Sequence, residues 1–141
     1  MRGSSQIARP LTRRYAPPGA FGDMPHTWVG SDFIRSALDL LAYENDDGTL
    51  VIGAAVDEAW LTAGVTVDGL STHSGPLGYT MRRNGDEVTI DFSRVPTPSA
   101  VIIRSPLEKP IRAALADGVA VKHGEHEVRL TKVPQHIVLQ Y

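Results

Sequence analysis

Five histidines are the first residues to test for chemistry, because imidazole binds metals and moves protons near neutral pH. Two of them form His123-x-x-His126. A zincin site needs H-E-x-x-H on a helix, so that both rings fall on one face. Here Lys122-His123-Gly124-Glu125-His126 has the composition of a hairpin turn, and the pair reads as solvated. His26, His73 and His136 are isolated in the sequence. Serine nucleophiles fare no better. There is no G-x-S-x-G, and Ser74-Gly75 lies within Ser71-Thr72-His73-Ser74-Gly75-Pro76, a loop entering a strand. Neither a P-loop nor G-x-G-x-x-G occurs, so no phosphate cradle is written in the chain. Cysteine is absent, which removes thiol nucleophiles, disulfides and zinc-thiolate sites together.

Paired carboxylates are the remaining catalytic option, since glycoside hydrolysis needs two acids facing one bond. Asp46-Asp47, Asp57-Glu58 and Asp86-Glu87 are each sequential, and neighbours on a strand point to opposite faces. They read as turn and cap residues. The aromatic rings give a different lead. Trp28, Trp60 and Tyr79 stand in or beside loops and short elements, where a ring either anchors a core or stacks on a sugar face. The binding version of this reading takes Trp28, Trp60 and Tyr79 as stacking rings, with His26 and His73 as polar support. It assigns no catalytic residue, no metal and no cofactor.

The elements that must position these residues follow from size and pattern. With 141 residues the chain is one domain, long enough to bury a core without staples. Basic and acidic residues number 14 and 16, for a net charge of −2, which gives no reason to expect nucleic acid. No run of 18 apolar residues exists, so a transmembrane helix and a membrane partner are not expected. Gly and Pro together number 13 and 10, about 16% against a usual 12%, and this excess predicts many turns and short elements. Residues 1–22 carry Arg2, Arg9, Arg13 and Arg14 and no acid, interrupted by Pro10, Pro17, Pro18, Gly19 and Gly22. Residues 1–24 therefore read as a flexible basic arm without a secretory h-region, and residues 25–141 as the single folded domain. Compartment is left open.

One helix is predicted from Ser31, its cap, with apolar residues at Phe33, Ile34, Ala37, Leu38 and Leu41 forming one buried stripe up to the turn Asn45-Asp46-Asp47-Gly48. A second, single-turn helix is expected at Asp57–Leu61, capped by Asp57 and stopped by Gly64. The rest reads as strand. Thr49 to Val56 is a short apolar run, and Val65 to Val67 a brief strand before a turn at Asp68-Gly69. Residues 77–81 and 88–92 alternate around Asn84-Gly85, a hairpin with a type I′ turn. Ala100 to Arg104, Val119 to Lys122, Glu127 to Leu130 and His136 to Leu139 complete the set. The expected fold class is mainly β: an antiparallel β-sandwich of about seven or eight short strands with one N-terminal amphipathic helix.

The order of several segments resembles one family. His26-Thr27-Trp28-Val29-Gly30-Ser31-Asp32-Phe33, then a helix and strand, then Asp57-Glu58-Ala59-Trp60-Leu61, then Thr72 to Leu77 and the turn Arg83 to Asp86, is similar to the end of the helical domain and the C-terminal β-sandwich of bacterial (α/α)-barrel glycoside hydrolases. Ile102 to Leu107 with Pro110-Ile111, and Val119 to Leu139, resemble the closing part of that sandwich. Related regions occur in large bacterial proteins described as putative carbohydrate-binding or discoidin-containing. The barrel helices that carry the family's catalytic acids have no counterpart in this sequence. The resemblance implies a non-catalytic accessory module that binds an oligo- or polysaccharide or docks on a helical-barrel catalytic domain. The rival expectation is a structural or interaction domain that self-associates or binds a protein through an exposed helix face.

Overall fold

The computed structural model describes the backbone of residues 26–141, and side chains from residue 33 onward. The arm assigned to residues 1–24 lies outside the described residues. Helix α1 (His26–Asp39) is followed by strands β1 (Ala42–Glu44) and β2 (Thr49–Ile52), a 3-10 turn (Glu58–Thr62), and β3 (Val65–Thr72), β4 (Gly75–Asn84) and β5 (Glu87–Arg94). Then come β6 (Ala100–Arg104), β7 (Ala113–Ala116), β8 (Val119–Ala120), β9 (Glu127–Leu130) and β10 (His136–Gln140). The strands form a four-stranded sheet in the order β1-β2-β6-β9 and a six-stranded sheet in the order β3-β4-β5-β10-β7-β8. Every pair is antiparallel except β2 with β6, which is parallel. The fold is a mainly-β sandwich, with ten strands among the described residues.

Alternation explains why these sheets face each other. Leu50, Ile52, Val101, Ile103 and Val128 point inward from the smaller sheet. Leu77, Tyr79, Met81, Val88, Ile90, Phe92, Ile137 and Leu139 point inward from the larger one, and together they make one core. Each fully buried aliphatic side chain of this kind contributes about 1.5–3 kcal/mol of transfer free energy. Strand β2 is buried on both faces, because Val51 stands in a cross-strand row with Tyr43 and Ile102 on the outer side of its sheet.

Four sequence expectations change in detail. The helix begins five residues before Ser31 and ends at Asp39, so Ser31 lies inside it and Asn45–Gly48 instead turns β1 into β2. Asp68-Gly69 is a bulge within β3, where the register with β4 shifts, and the strand runs on to Thr72. The β4–β5 hairpin is present, but Asn84 is its last paired residue and only Gly85 has positive φ in the turn. Gly85-Asp86 therefore has the glycine-first requirement of a type II′ turn rather than type I′. The short helix after Asp57 is 3-10, and Asp57 caps it by accepting from the Ala59 N–H at 2.8 Å. Asp57→Ala is expected to cost about 1 kcal/mol of unfolding free energy in urea titration.

The apolar stripe of α1 is the largest departure. Phe33 is 75% exposed and Ile34 60%, while Leu38 and Leu40 are also open. The chain leaving the helix is pinned instead: the Leu40 carbonyl accepts from Ala55 N–H and the Leu41 carbonyl from Gly53 N–H. Arg35, Leu38 and Asp39 line the side of α1 that faces the sandwich. At 3.6 residues per turn Arg35 and Asp39 stand roughly opposite Phe33, which is turned to solvent, and every side chain from residue 33 to 40 stays exposed.

Candidate functional site

The sequence-predicted residues do not converge. Tyr79 is fully buried in the middle of β4, its ring 6.1 Å from that of Phe92 and its hydroxyl donating to the Leu41 carbonyl at 2.9 Å. Burial pushes its phenol well above the usual value. It is a core anchor and offers no face to a sugar, which corrects its assignment as a stacking ring. Trp60, on the 3-10 turn, is 47% exposed. His73 sits in the β3–β4 turn with its ring fully exposed. The two stand at opposite ends of β3, eight residues long, hence about 25 Å apart along the strand. His26 and Trp28 fall within the backbone of α1, inside the helix rather than before it, and their side chains lie outside the described residues.

The residue that organises a groove beside α1 carries no mark in the sequence. A groove of about 630 Å³ runs between α1 and the edges of both sheets, lined by Arg35, Leu38 and Leu40 on one side and by Tyr43, Glu44, Leu70 and His73 on the other. A smaller depression of about 360 Å³ beside it shares Glu44 and His73. Glu44 ends β1, and its side chain is only 8% exposed. One carboxylate oxygen accepts from the Ser74 hydroxyl and from the Ser74 N–H at 3.2 Å. The other accepts from the His73 N–H and stands 3.3 Å from the His73 ring. Burial pushes the Glu44 carboxyl up, but these donors outweigh it and hold the group below the ordinary carboxylate range.

This geometry decides the chemistry of the groove. A carboxylate already engaged by several donors and held ionised is not poised as a general acid or base near neutral pH. Ser74 and His73 both address the same carboxylate, whereas a triad needs the serine hydroxyl on the imidazole. Glu44 instead clips the edge of the four-stranded sheet to the β3–β4 turn of the six-stranded one. No sequence signal marks it, because its partners lie 29 and 30 residues away.

Several other acids and histidines have partners of their own. Asp47 accepts from the Thr49 N–H, and Asp86 pairs with Lys109 at 3.1 Å. His136 pairs across strands with Asp91 at 2.6 Å on the exposed side of the six-stranded sheet. His123 bridges to Val128 at the base of the solvated turn that holds His126. Among the described residues no three His, Asp or Glu side chains gather as a metal site. One wall of the groove is α1, whose Phe33 and Ile34 lie outside it and are exposed. Comparison with protein-family models, with curated proteins and with solved structures returns no match, so the resemblance to the barrel hydrolases rests on the segments named above alone.

Proposed function

We propose that this chain is a non-catalytic interaction domain that docks on a protein partner through the outward face of α1. One observation carries the reading. Four of the seven exposed large hydrophobic side chains among the described residues fall within eight consecutive positions, Phe33 and Ile34 on the outward side of α1 and Leu38 and Leu40 along the rim of the groove beside it. Scattered apolar residues on a surface are ordinary, but a concentrated patch is the mark of a docking surface. A sandwich rigid enough to hold that helix by its C-terminal end supplies the platform. An accessory role beside a catalytic domain, as the family resemblance implies, is one form of this reading.

The test is a pair of substitutions. Phe33→Asp and Ile34→Asp in the full chain should leave the melting temperature at low concentration within the small range of surface changes. They should also remove the binding of an environment-sensitive apolar dye. Unchanged dye binding, or a substantial loss of stability, would count against the face being a free docking surface.

Saccharide binding is the second reading, and Trp60 favours it as a half-exposed ring on a short, capped turn. Titration calorimetry with cello-, xylo- and chito-oligosaccharides tests it. Heat that disappears in Trp60→Ala supports a sugar platform there, and no heat with any of the three removes it.

A further inference from the structure

We propose that the groove beside α1 takes an extended peptide of a protein partner, which adds as a strand to the free edge of β3 and carries a Lys or Arg at the end next to Glu44. This site lies on the inner side of α1 and goes beyond the reading of its outward face.

The groove is walled by main chain with no strand beside it. Strand β1 ends the smaller sheet and β3 ends the larger, and residues of both line the groove. One pair sets which main-chain groups β3 presents there. Ser71, exposed and part of the lining, stands opposite Pro76 in the β3–β4 register. Proline has no N–H to give, and the pairs of an antiparallel ladder alternate between hydrogen-bonded and non-bonded. Ser71 therefore turns its own N–H and C=O away from β4. Two residues on, the next N–H of that edge is that of His73, which donates to the Glu44 carboxylate. The fold already supplies an acceptor to this edge at His73 and leaves the position before it open.

The opposite wall offers main chain as well. Asn45 N–H donates to the Thr49 carbonyl and Gly53 N–H to the Leu41 carbonyl, so alternation turns the main chain of Glu44 away from β2. Packed sheets lie about 10 Å apart and paired strands about 4.8 Å, so one extended chain fits between the two edges. The dock is short. The bulge at Asp68-Gly69 interrupts the edge before Leu70 and the Glu44 clip closes it at His73, which leaves about four residues, or about 13 Å.

Side chains set the preference. Leu38, Leu40 and Leu70 give the groove an apolar lining that covers an apolar side chain of the added strand. Asp39 and Glu44 line the groove, and Asp46 lines the depression that continues it past Glu44, against Arg35 and the ring of His73. Even with that ring protonated the acids outnumber the bases, so this end attracts a basic residue and repels an acidic one. Recognition through main chain leaves the rest of the peptide sequence loosely specified.

The probe is an acetylated, amidated hexapeptide of alternating Val and Thr with Lys at its N-terminus, the end that an antiparallel neighbour of β3 brings to Glu44. In calorimetry with the full chain it should bind, and the Ser71 amide, fast to exchange in the free protein, should slow on saturation. Ser71→Pro removes an N–H that points outward and leaves the β4 ladder whole, so it should keep the fold and weaken binding about tenfold or more. Ser71→Ala keeps the N–H and should bind as the wild type does. Exchanging the peptide's Lys for Glu should weaken binding, and Asp46→Lys should reverse that preference. No heat at millimolar peptide, full affinity in Ser71→Pro, or an unchanged preference in Asp46→Lys would each overturn the proposal. A Ser71 amide already slow to exchange in the free chain would mean that the edge is covered from within, and overturns it too. A peptide that shifts the Phe33 and Ile34 resonances and leaves the Ser71 amide unprotected sits on the outward face of α1, which overturns the proposal and supports the docking reading.

Discussion

Tyr79→Ala is expected to lower unfolding free energy by about 4 kcal/mol, the range for deleting a buried aromatic ring. The ring is enclosed at the centre of β4 between the two sheets, so its loss leaves a cavity that strands on either side cannot close without shifting register. Tyr79→Phe keeps the packing and removes one hydrogen bond. The Leu41 carbonyl still has the Gly53 N–H, so the cost falls to about 1 kcal/mol. The hydroxyl also ties the exit of α1 to the core, and amide exchange at residues 38–41 should quicken in Tyr79→Phe more than elsewhere. Urea titration measures both energies, and a Tyr79→Ala loss below about 1 kcal/mol would sink the assignment. The raised phenol pKa gives a pH signature. Folded and unfolded Tyr79 are both neutral below the ordinary value of 10.0. Above it only the unfolded form ionises, so stability falls as pH rises past that point, and the fall should shrink in Tyr79→Phe.

Glu44→Ala is expected to cost about 2–3 kcal/mol, because it strips a charged acceptor from the His73 and Ser74 N–H groups and the Ser74 hydroxyl at once. His73→Ala should change stability little. Its ring is fully exposed, and the N–H that Glu44 uses remains in the alanine backbone. That contrast separates a carboxylate held by backbone donors from a surface ion pair. The sign with pH follows from a folded pKa held below 4.5. The contribution is present in full above the unfolded value and is lost as pH falls through the folded one. Stability of the wild type should therefore drop below about pH 4.5 more steeply than that of Glu44→Gln, which carries no titrating group there. Parallel acid limbs in the two proteins would refute the clip.

Local pattern is enough for some elements and useless for others. The β4–β5 hairpin can be read because its alternation and its glycine lie within twenty residues and require no distant partner. The cap at Asp57 is legible for the same reason. Ala113-Ala114-Leu115-Ala116 does not read as a strand, since alanine has little β-propensity and only pairing with β10 and β8 makes it β7. Strand β1 is three residues long and falls within the run from Ser31 that the sequence suggests is one helix and its turn. The amphipathic period of α1 is correct, but a period gives a stripe without saying which way it points. The predicted burial fails because the helix is held by the backbone of its exit turn, and every side chain from residue 33 to 40 stays exposed. The candidate site suffers most, since the alternation that puts Tyr79 in a strand does not say which face is buried, and Glu44 meets its partners only after two sheets have come together.

The parallel pair β2–β6 bears on the order in which this protein assembles. Leu50 and Val101 lie side by side at the centre of the smaller sheet although the whole of β3, β4 and β5 intervenes. Strand β10 fills the gap between β5 and β7, so the larger sheet stays in two pieces until residues 136–140 are in place. The β3–β5 meander can close early on short turns, but each sheet is completed by a contact spanning tens of residues, and such closures are slow. The core therefore stays half exposed until β10 is in place, and a destabilised β10 leaves two open strand edges, at β5 and β7, to a neighbouring chain.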